Sequence, residues 1–409
     1  MKKLLCYGFV CRSLMWLIGK LQPDHGTLSA FMKSNQMAIK KLFKEFTLML
    51  KGFGLIDGQL VAIDGTKLKA SCSKKKHFND NIISKKLEQI DEKIDAYLRD
   101  FLTEDNRLKK QEITEKLAVY QERMHELQVM KQELKETGES QLCVTDPDAK
   151  SMKNNGKHEV CFNVQTAVDS KYKLIVDSDT VNDVNDQGQL SNMGHKTKQV
   201  FRDQKTTIVA DTGYYNYLEI IDVVDENTEL LIKPQKGKQD KVANGFDKGN
   251  FKYDSINDKY ICLLGYELPF KWNGKQDGKE YKRYTCEAFD FCGQKEFCTS
   301  AKGGRAVTRL SDEELIEQIT ENTRKQNNIY KQRGQIVEHP FGTIKRHWGY
   351  TYFLTRGLRS VGTETSLICL AYNFKRMIKI MGVNELIRLL RDRAHSLSKI
   401  YNVYLNEIA

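Results

Sequence analysis

No run of about 18 uninterrupted apolar residues occurs anywhere in this 409-residue chain, which argues against a membrane-spanning helix. The first twenty residues come nearest. Lys2 and Lys3 lead into an apolar stretch like that of a secretion signal, but Arg12 interrupts it and no small-residue cleavage site follows. The expectation is a cytoplasmic protein whose thiols stay mostly reduced. A phosphate-cradling glycine loop, a dinucleotide fingerprint and a Ser-His-Asp pattern are also missing, so nucleotide cofactors are not implied. A single Asp-Thr-Gly, at Asp211, lacks the second copy that an aspartic-protease dyad requires. Glycine and proline are absent from Ile83 to Glu136. Acidic residues are nearly absent from Arg324 to Arg359, where Glu338 stands alone among eight lysines and arginines.

What the chain does contain is a real core and a positive surface. Hydrophobic residues make up 40% of it, and the formal net charge is +11. The first excludes overall disorder, and the second favours a polyanionic partner. A carboxylate alone in so basic a segment suits a chemical role better than charge balance.

Element by element, residues 1–55 read as helical, with a turn at Pro23-Asp24-His25-Gly26 and an apolar spacing of Phe31, Ile39, Leu42, Phe43 and Phe46. A first strand covers 59–70. Two apolar stripes, Leu87, Ile90, Ile94, Leu98, Phe101 and then Ile113, Leu117, Tyr120, Met124, Leu127, Leu134, flank the polar Thr103–Asn106 and describe a helical hairpin over 83–138. Its plain reading is a structural insert; a dimerisation or DNA-spacing arm is the alternative. Strand patterns return at Val160–Val168, Leu174–Val176, Thr206–Ala210 and Glu229–Lys233, with helices at Gln187–Phe201 and Tyr217–Val224 between them. That order fits an α/β sheet flanked by helices. Residues 234–305, rich in Gly, Lys, Tyr and Cys, read as an inserted subdomain, and helical patterning resumes from Ser311 and ends in a tail over 386–409.

Two strands end on carboxylates: Leu60-Val61-Ala62-Ile63-Asp64-Gly65-Thr66 and Thr207-Ile208-Val209-Ala210-Asp211-Thr212-Gly213. In an α/β sheet such ends share one edge, where ligands collect. Attack on a phosphodiester needs a deprotonated oxygen nucleophile and a stabilised leaving oxygen. Two divalent ions about 4 Å apart supply both, and Mg²⁺ takes hard oxygen ligands. Asp64, Asp211 and Glu338 are the residue types for such a cage. Taken singly, each has a plain reading: a turn after a strand, or a salt-bridge partner for Arg333 or Lys345.

Together these motifs resemble the DDE transposases of bacterial insertion sequences, whose catalytic core is a ribonuclease-H-like mixed sheet. The likeness lies in Ile63-Asp64-Gly65-Thr66-Lys67, Ala210-Asp211-Thr212-Gly213-Tyr214, and Tyr330-x2-Arg333-x4-Glu338-x6-Lys345. It extends to Thr145–Ala149, Phe162-Asn163-Val164-Gln165 and Val337–Gly342, and spans roughly residues 20–385. The resemblance implies that Asp64, Asp211 and Glu338 ligate Mg²⁺ or Mn²⁺, two ions in all. It implies that Tyr330, Arg333 and Lys345, with the neighbouring Arg346, contact DNA. A catalytic domain over 56–233 and 306–385 follows, with terminal inverted repeats and target DNA as partners, a homodimer in the synaptic complex and a nucleoid-associated location.

Two departures stand out. The better-known signature separates its Arg and Glu by three residues, whereas four lie between Arg333 and Glu338. The family carries a longer helical region before the Leu17–Asp24 stretch, and Met1–Arg12 stands in its place, so 1–55 reads as a shortened DNA-binding-like region. The rival expectations are a truncated, inactive DNA-binding remnant and a ribonuclease-H-like nuclease with other substrates. Pro340, close behind Glu338, is expected to start, kink or break a helix.

Of ten cysteines, Cys262, Cys286, Cys292 and Cys298 fall in the insert with spacing x23, x5, x5. Structural Zn²⁺ is one reading and unligated thiols the other, since tight Cys-x2-Cys knuckles are missing. In related transposases a cysteine often stands where this chain has Phe289. His158 reads as a surface residue, Asp146-Pro147-Asp148 as a turn, and Trp348 as core rather than a DNA-stacking side chain.

Overall fold

The computed structural model describes residues 24–202, 204–235, 245–246, 248–276 and 278–408; the readings made for Met1–Arg12 and Leu17–Gln22 lie outside them. Helix α1 (His25–Ser34) starts where a turn was expected. The Asp24 carboxylate accepts the Thr27 N–H at 2.6 Å, meeting one of the unpaired donors every helix start exposes. Helix α2 (Gln36–Gly52) buries Ile39, Phe43 and Leu50, while Phe31 and Leu42 of the expected stripe are exposed.

The central sheet is built from β1 (Leu60–Lys69), β4 (Lys150–Asn154), β5 (Lys157–Asp169), β6 (Ile175–Val181), β7 (Thr206–Ala210) and β8 (Thr228–Leu231), in the order β4-β5-β1-β7-β8, with β6 also paired to β5. Strand β5 runs antiparallel to its neighbours β1, β4 and β6, whereas β1, β7 and β8 run parallel. The alternation of side chains explains the layers. Val61, Ile63, Ile208 and Ala210 face one way, onto α5 (Leu190–Val200), α6 (Tyr217–Val223) and α8 (Glu313–Lys325) through Met193, Ile220 and Ile319. Ala62 and Val168 face the other way, onto Ile336 and Val337 of α9 (Asn327–Phe341) and Cys369 and Tyr372 of α10 (Leu358–Ile408). Buried on both faces, β7 reads as the continuous apolar run Ile208-Val209-Ala210.

Helix α5 begins three residues later than expected, because Gly188 holds φ at 93° and interrupts the turn before it. Its first N–H groups, those of Leu190 and Ser191, donate to Glu219 of α6 at 2.8 and 3.2 Å. The long helices α3 (Asp80–Thr103) and α4 (Arg107–Thr137) start on Asn79 and Asn106 caps and pack around Ile83, Ile90, Leu127 and Leu134. A two-strand clasp, β2 (His77–Phe78) with β3 (Leu142–Cys143), closes their base.

Between β8 and α8 the chain makes a second, antiparallel sheet in the order β13-β12-β11-β10-β9, from β9 (Lys252–Asp254), β10 (Lys259–Ile261), β11 (Glu267–Gln276), β12 (Lys279–Thr285) and β13 (Ala306–Leu310), with the short α7 (Lys295–Cys298) before β13. Its core is Phe251, Tyr260, Leu268, Tyr284 and Val307. Helix α9 runs through Pro340 instead of breaking there, and the disturbance follows it as a π-wound turn, Gly342–His347. Helix α10 is interrupted at Gly382, whose φ of 77° leaves the helical region. Among the described residues no helix is long and apolar enough to cross a membrane.

Candidate active site

The parallel register pairs Ile63 of β1 with Ala210 of β7, so the next residues, Asp64 and Asp211, stand side by side. At that point β7 ends in a single 3-10 turn, Thr212–Tyr214, while β1 continues to Lys69. Alternation places both carboxylates on the face covered by α9. There the Arg333 guanidinium spans them, with Nη1 2.9 Å from Asp64 Oδ2 and Nη2 3.3 Å from Asp211 Oδ1. The Asp64 side chain is 25% exposed and that of Asp211 49%. Asp64 also accepts its neighbour's N–H, from Gly65, at 2.8 Å.

Burial dominates the protonation of Asp64 and pushes its pKa up to about 6, against the pull of Arg333 and of the Gly65 N–H. The negative charges of Asp211 and Asp186 add to the rise. A hydrogen-bonded guanidinium of fixed fork geometry suits two adjacent carboxylates, and it leaves this edge of the sheet with a bound positive charge.

Glu338 is on the same helix but not at the same place. Five residues beyond Arg333, it lies about 140° further around the helix axis, and it is exposed. A Cβ placed at Gly334 would be 3.7 Å from its Oε1, so its side chain folds back along the helix over that residue. The extra residue in the signature has this physical meaning: a three-residue gap would leave Arg and Glu about 40° apart. Among the described residues no three His, Cys, Asp or Glu side chains are grouped as they would be around a metal ion.

The remaining expected contacts divide into buried and exposed. Tyr330 is buried against Val209 and Leu231, with Lys233 Nζ 4.5 Å from its ring centre. Lys345 turns inward and donates to Thr66 Oγ1 at 2.7 Å and to the Lys67 carbonyl at 3.0 Å; burial draws its pKa down. Arg346, next to it, is exposed. Trp348 packs beside Tyr372, ring centres 6.5 Å apart, and His158 is at the surface. Asp146 and Asp148 form a turn that also receives the Gly357 and Leu358 N–H groups at the start of α10, at 3.1 and 2.7 Å.

The structure adds a residue that the motifs did not single out. Asp186 lies on the opposite face of β1 and accepts from Lys67 Nζ at 3.0 Å, Asn163 Nδ2 at 2.8 Å and Gln165 Nε2 at 2.9 Å. Burial opposes its charge, but Lys67 and these amides hold the carboxyl below its usual range. Tyr214 donates to Gln165 and extends the network. A Cβ at Gly65 would come within 2.6 Å of both Asp186 Oδ1 and Gln165 Nε2, so the glycine after Asp64 is what lets this polar layer press against the strand. The readable signal was Asn163 and Gln165, two amides on one face of an otherwise apolar strand.

With the site described, comparison with known proteins adds one point of likeness. Residues 261–378 match the family model described as a transposase DDE domain. The matched span carries Tyr330, Arg333, Glu338, Lys345 and the four insert cysteines, but neither Asp64 nor Asp211. A comparison with curated proteins found no match. Among solved structures, a cryo-EM structure of the piggyBac transposase synaptic complex with hairpin DNA aligns at 10% identity over 60% of this chain and 53% of that one. The chain thus spans about half the length of that protein, and the TM-score of 0.20 carries no argument about the fold.

Proposed function

We propose that the chain is a DNA transposase of the DDE class, working on a ribonuclease-H-like sheet. The observation that carries this reading is the placement of Asp64 beside Asp211 with Arg333 bridging both, the arginine coming from a helix inside the segment that matches a transposase DDE domain. The sheet supports it, with β5 antiparallel to β1, β4 and β6, then β7 and β8 parallel to β1, and the carboxylates where β1 meets β7.

Hard oxygen donors on adjacent strands fit a divalent cation by chemistry. Asp64 and Asp211 would hold Mg²⁺ or Mn²⁺, and Glu338, exposed on α9, would be the third carboxylate only if its side chain reached the strand ends. When bound, such ions would activate the attacking oxygen and stabilise the leaving one. The chain's own groups do the rest. Arg333 holds the carboxylates together and presents further N–H donors to a phosphate. Exposed Arg346 can position backbone phosphates without reading sequence. The Asp186 layer stiffens β1 from behind. The substrate would be double-stranded DNA, cut at the ends of the mobile element, whose 3′-hydroxyl is then joined to target DNA by a protomer pair.

The outward position of Glu338 favours one second reading, a chain that binds DNA but no longer completes the cage. Labelled element-end DNA incubated with Mg²⁺ or Mn²⁺ separates the two. Cleavage and joining by wild type, lost in Asp211→Ala, supports the transposase; salt-sensitive binding with no cleavage supports the remnant. Cleavage without joining, on unrelated DNA as readily, would instead mark a nuclease.

A further inference from the structure

Four cysteines from separate pieces of the second sheet's subdomain line one cavity. Cys262 follows β10, Cys286 follows β12, Cys292 lies in the connection beyond it and Cys298 ends α7. Phe251, Leu268, Phe289, Lys295 and Arg305 share the wall with them. All four are free and partly buried.

Two further observations bear on what this cavity takes. Cys262 and Cys292 each open a tight turn, closed by the Gly265 N–H to the Cys262 carbonyl at 3.0 Å and the Lys295 N–H to the Cys292 carbonyl at 3.2 Å. Arg305 also bears on it, because its Nε–H is buried without an acceptor while Nη2 donates to the Phe246 carbonyl at 2.9 Å. A buried donor left unpaired is unfavourable. The unpaired donor of a cationic side chain thus lies in the same wall as the four thiols.

We propose that Cys262, Cys286, Cys292 and Cys298 bind Zn²⁺ as a closed structural site. Each thiol releases its proton to solvent as its sulfur–zinc bond forms, and Arg305 and Lys295 offset the net negative charge of a zinc held by four thiolates. As the side chains stand, no three of them surround a common point at ligating distance; binding draws the sulfurs inward across the cavity they line, to about 2.3 Å from the metal. The subdomain has reason to need the ion, because among the described residues its buried cluster of Phe251, Tyr260, Leu268, Tyr284 and Val307 is small and small cores rarely suffice alone. The inference stands apart from the transposase reading, since it concerns no residue of the candidate active site.

The test uses the full chain purified without chelator. Elemental analysis should find about one zinc per chain, and Co²⁺ exchanged for it should give the visible and near-ultraviolet bands of tetrahedral thiolate coordination. Cys286→Ser and Cys298→Ser should each lower zinc affinity at least tenfold, read by competition with a chromophoric chelator, while Cys72→Ser leaves it unchanged. If a serine variant does not fold, thiol counting decides on wild type: chelator should raise the number of rapidly reacting thiols by about four. Folded wild type with less than a tenth of an ion per chain that takes up no added Zn²⁺, or zinc binding that survives both serine variants, overturns the proposal.

Discussion

At the scale of single residues, the account rests on what surrounds each carboxylate. Gly65 is required because the Asp186 layer lies against it, so Gly65→Ala must displace Asp186 and Gln165. It should cost about 1–3 kcal/mol, the usual price of overpacking, read as a lowered urea midpoint. Asp169 gives a pH test. It is fully buried and accepts the Gly58 and Lys171 backbone N–H groups at 2.8 and 2.9 Å, yet burial pushes its pKa up to about 6. A raised carboxyl pKa means that the folded state holds the proton more tightly, so its contribution is present below the unfolded pKa and lost as pH rises through about 6. Asp169→Asn should therefore be most destabilising, relative to wild type, near pH 4. The gap should narrow by about 2–3 kcal/mol by pH 7, measured by urea unfolding across that range; a gap independent of pH would contradict the assignment. Asp64, Asp211 and Arg333 were legible as residue types because strand patterns and charge sign point to them. The inward turn of Lys345 and the burial of Tyr330 were not, because a lysine stem or a tyrosine ring serves a core as readily as a phosphate, and only packing decides.

At the scale of elements, most of the central sheet was legible. Strands β1, β5, β6, β7 and β8 and helices α5 and α6 fall where apolar runs and helical periods placed them, to within a few residues, except β6, which runs well past its short apolar core. The misses have physical causes. Gly188 delays α5, and Pro340 is tolerated inside α9 because the change of winding comes at Gly342. The five-stranded second sheet was only hinted at by short strand-like pieces, since its core uses tyrosines that also read as surface residues. The hairpin of α3 and α4 was plain in sequence and has its own core, Phe78, Ile83, Ile90, Leu127 and Leu134, closed at the base by the pairing of His77 with Cys143. Replacing residues 80–137 by a short Gly-Ser linker should therefore leave the rest of the chain cooperatively folded. Circular dichroism should show helix lost in proportion, with the unfolding transition kept; a molten, transition-free chain would show that the hairpin is part of the main core.

At the scale of the whole molecule, net charge bears on any DNA partner. The net charge of +11 predicts that any DNA complex is strongly salt-dependent. Each phosphate neutralised contributes about 0.9 to the slope of log affinity against log salt. Titrations between 50 and 200 mM salt should show affinity for duplex DNA falling at least tenfold. Arg346→Ala should weaken binding to all sequences alike and lower the slope by about one; an unchanged slope would remove Arg346 from the interface. The central claim, that the strand-end aspartates perform phosphoryl transfer on DNA, has a more direct test. Wild type and Asp211→Ala, shown to be equally folded by circular dichroism, are each incubated with Mg²⁺ and labelled DNA carrying the ends of the encoding element. The account predicts cleaved ends and joined products from wild type and neither from the variant. Equal product from both proteins would contradict it, because catalysis would then not pass through Asp211.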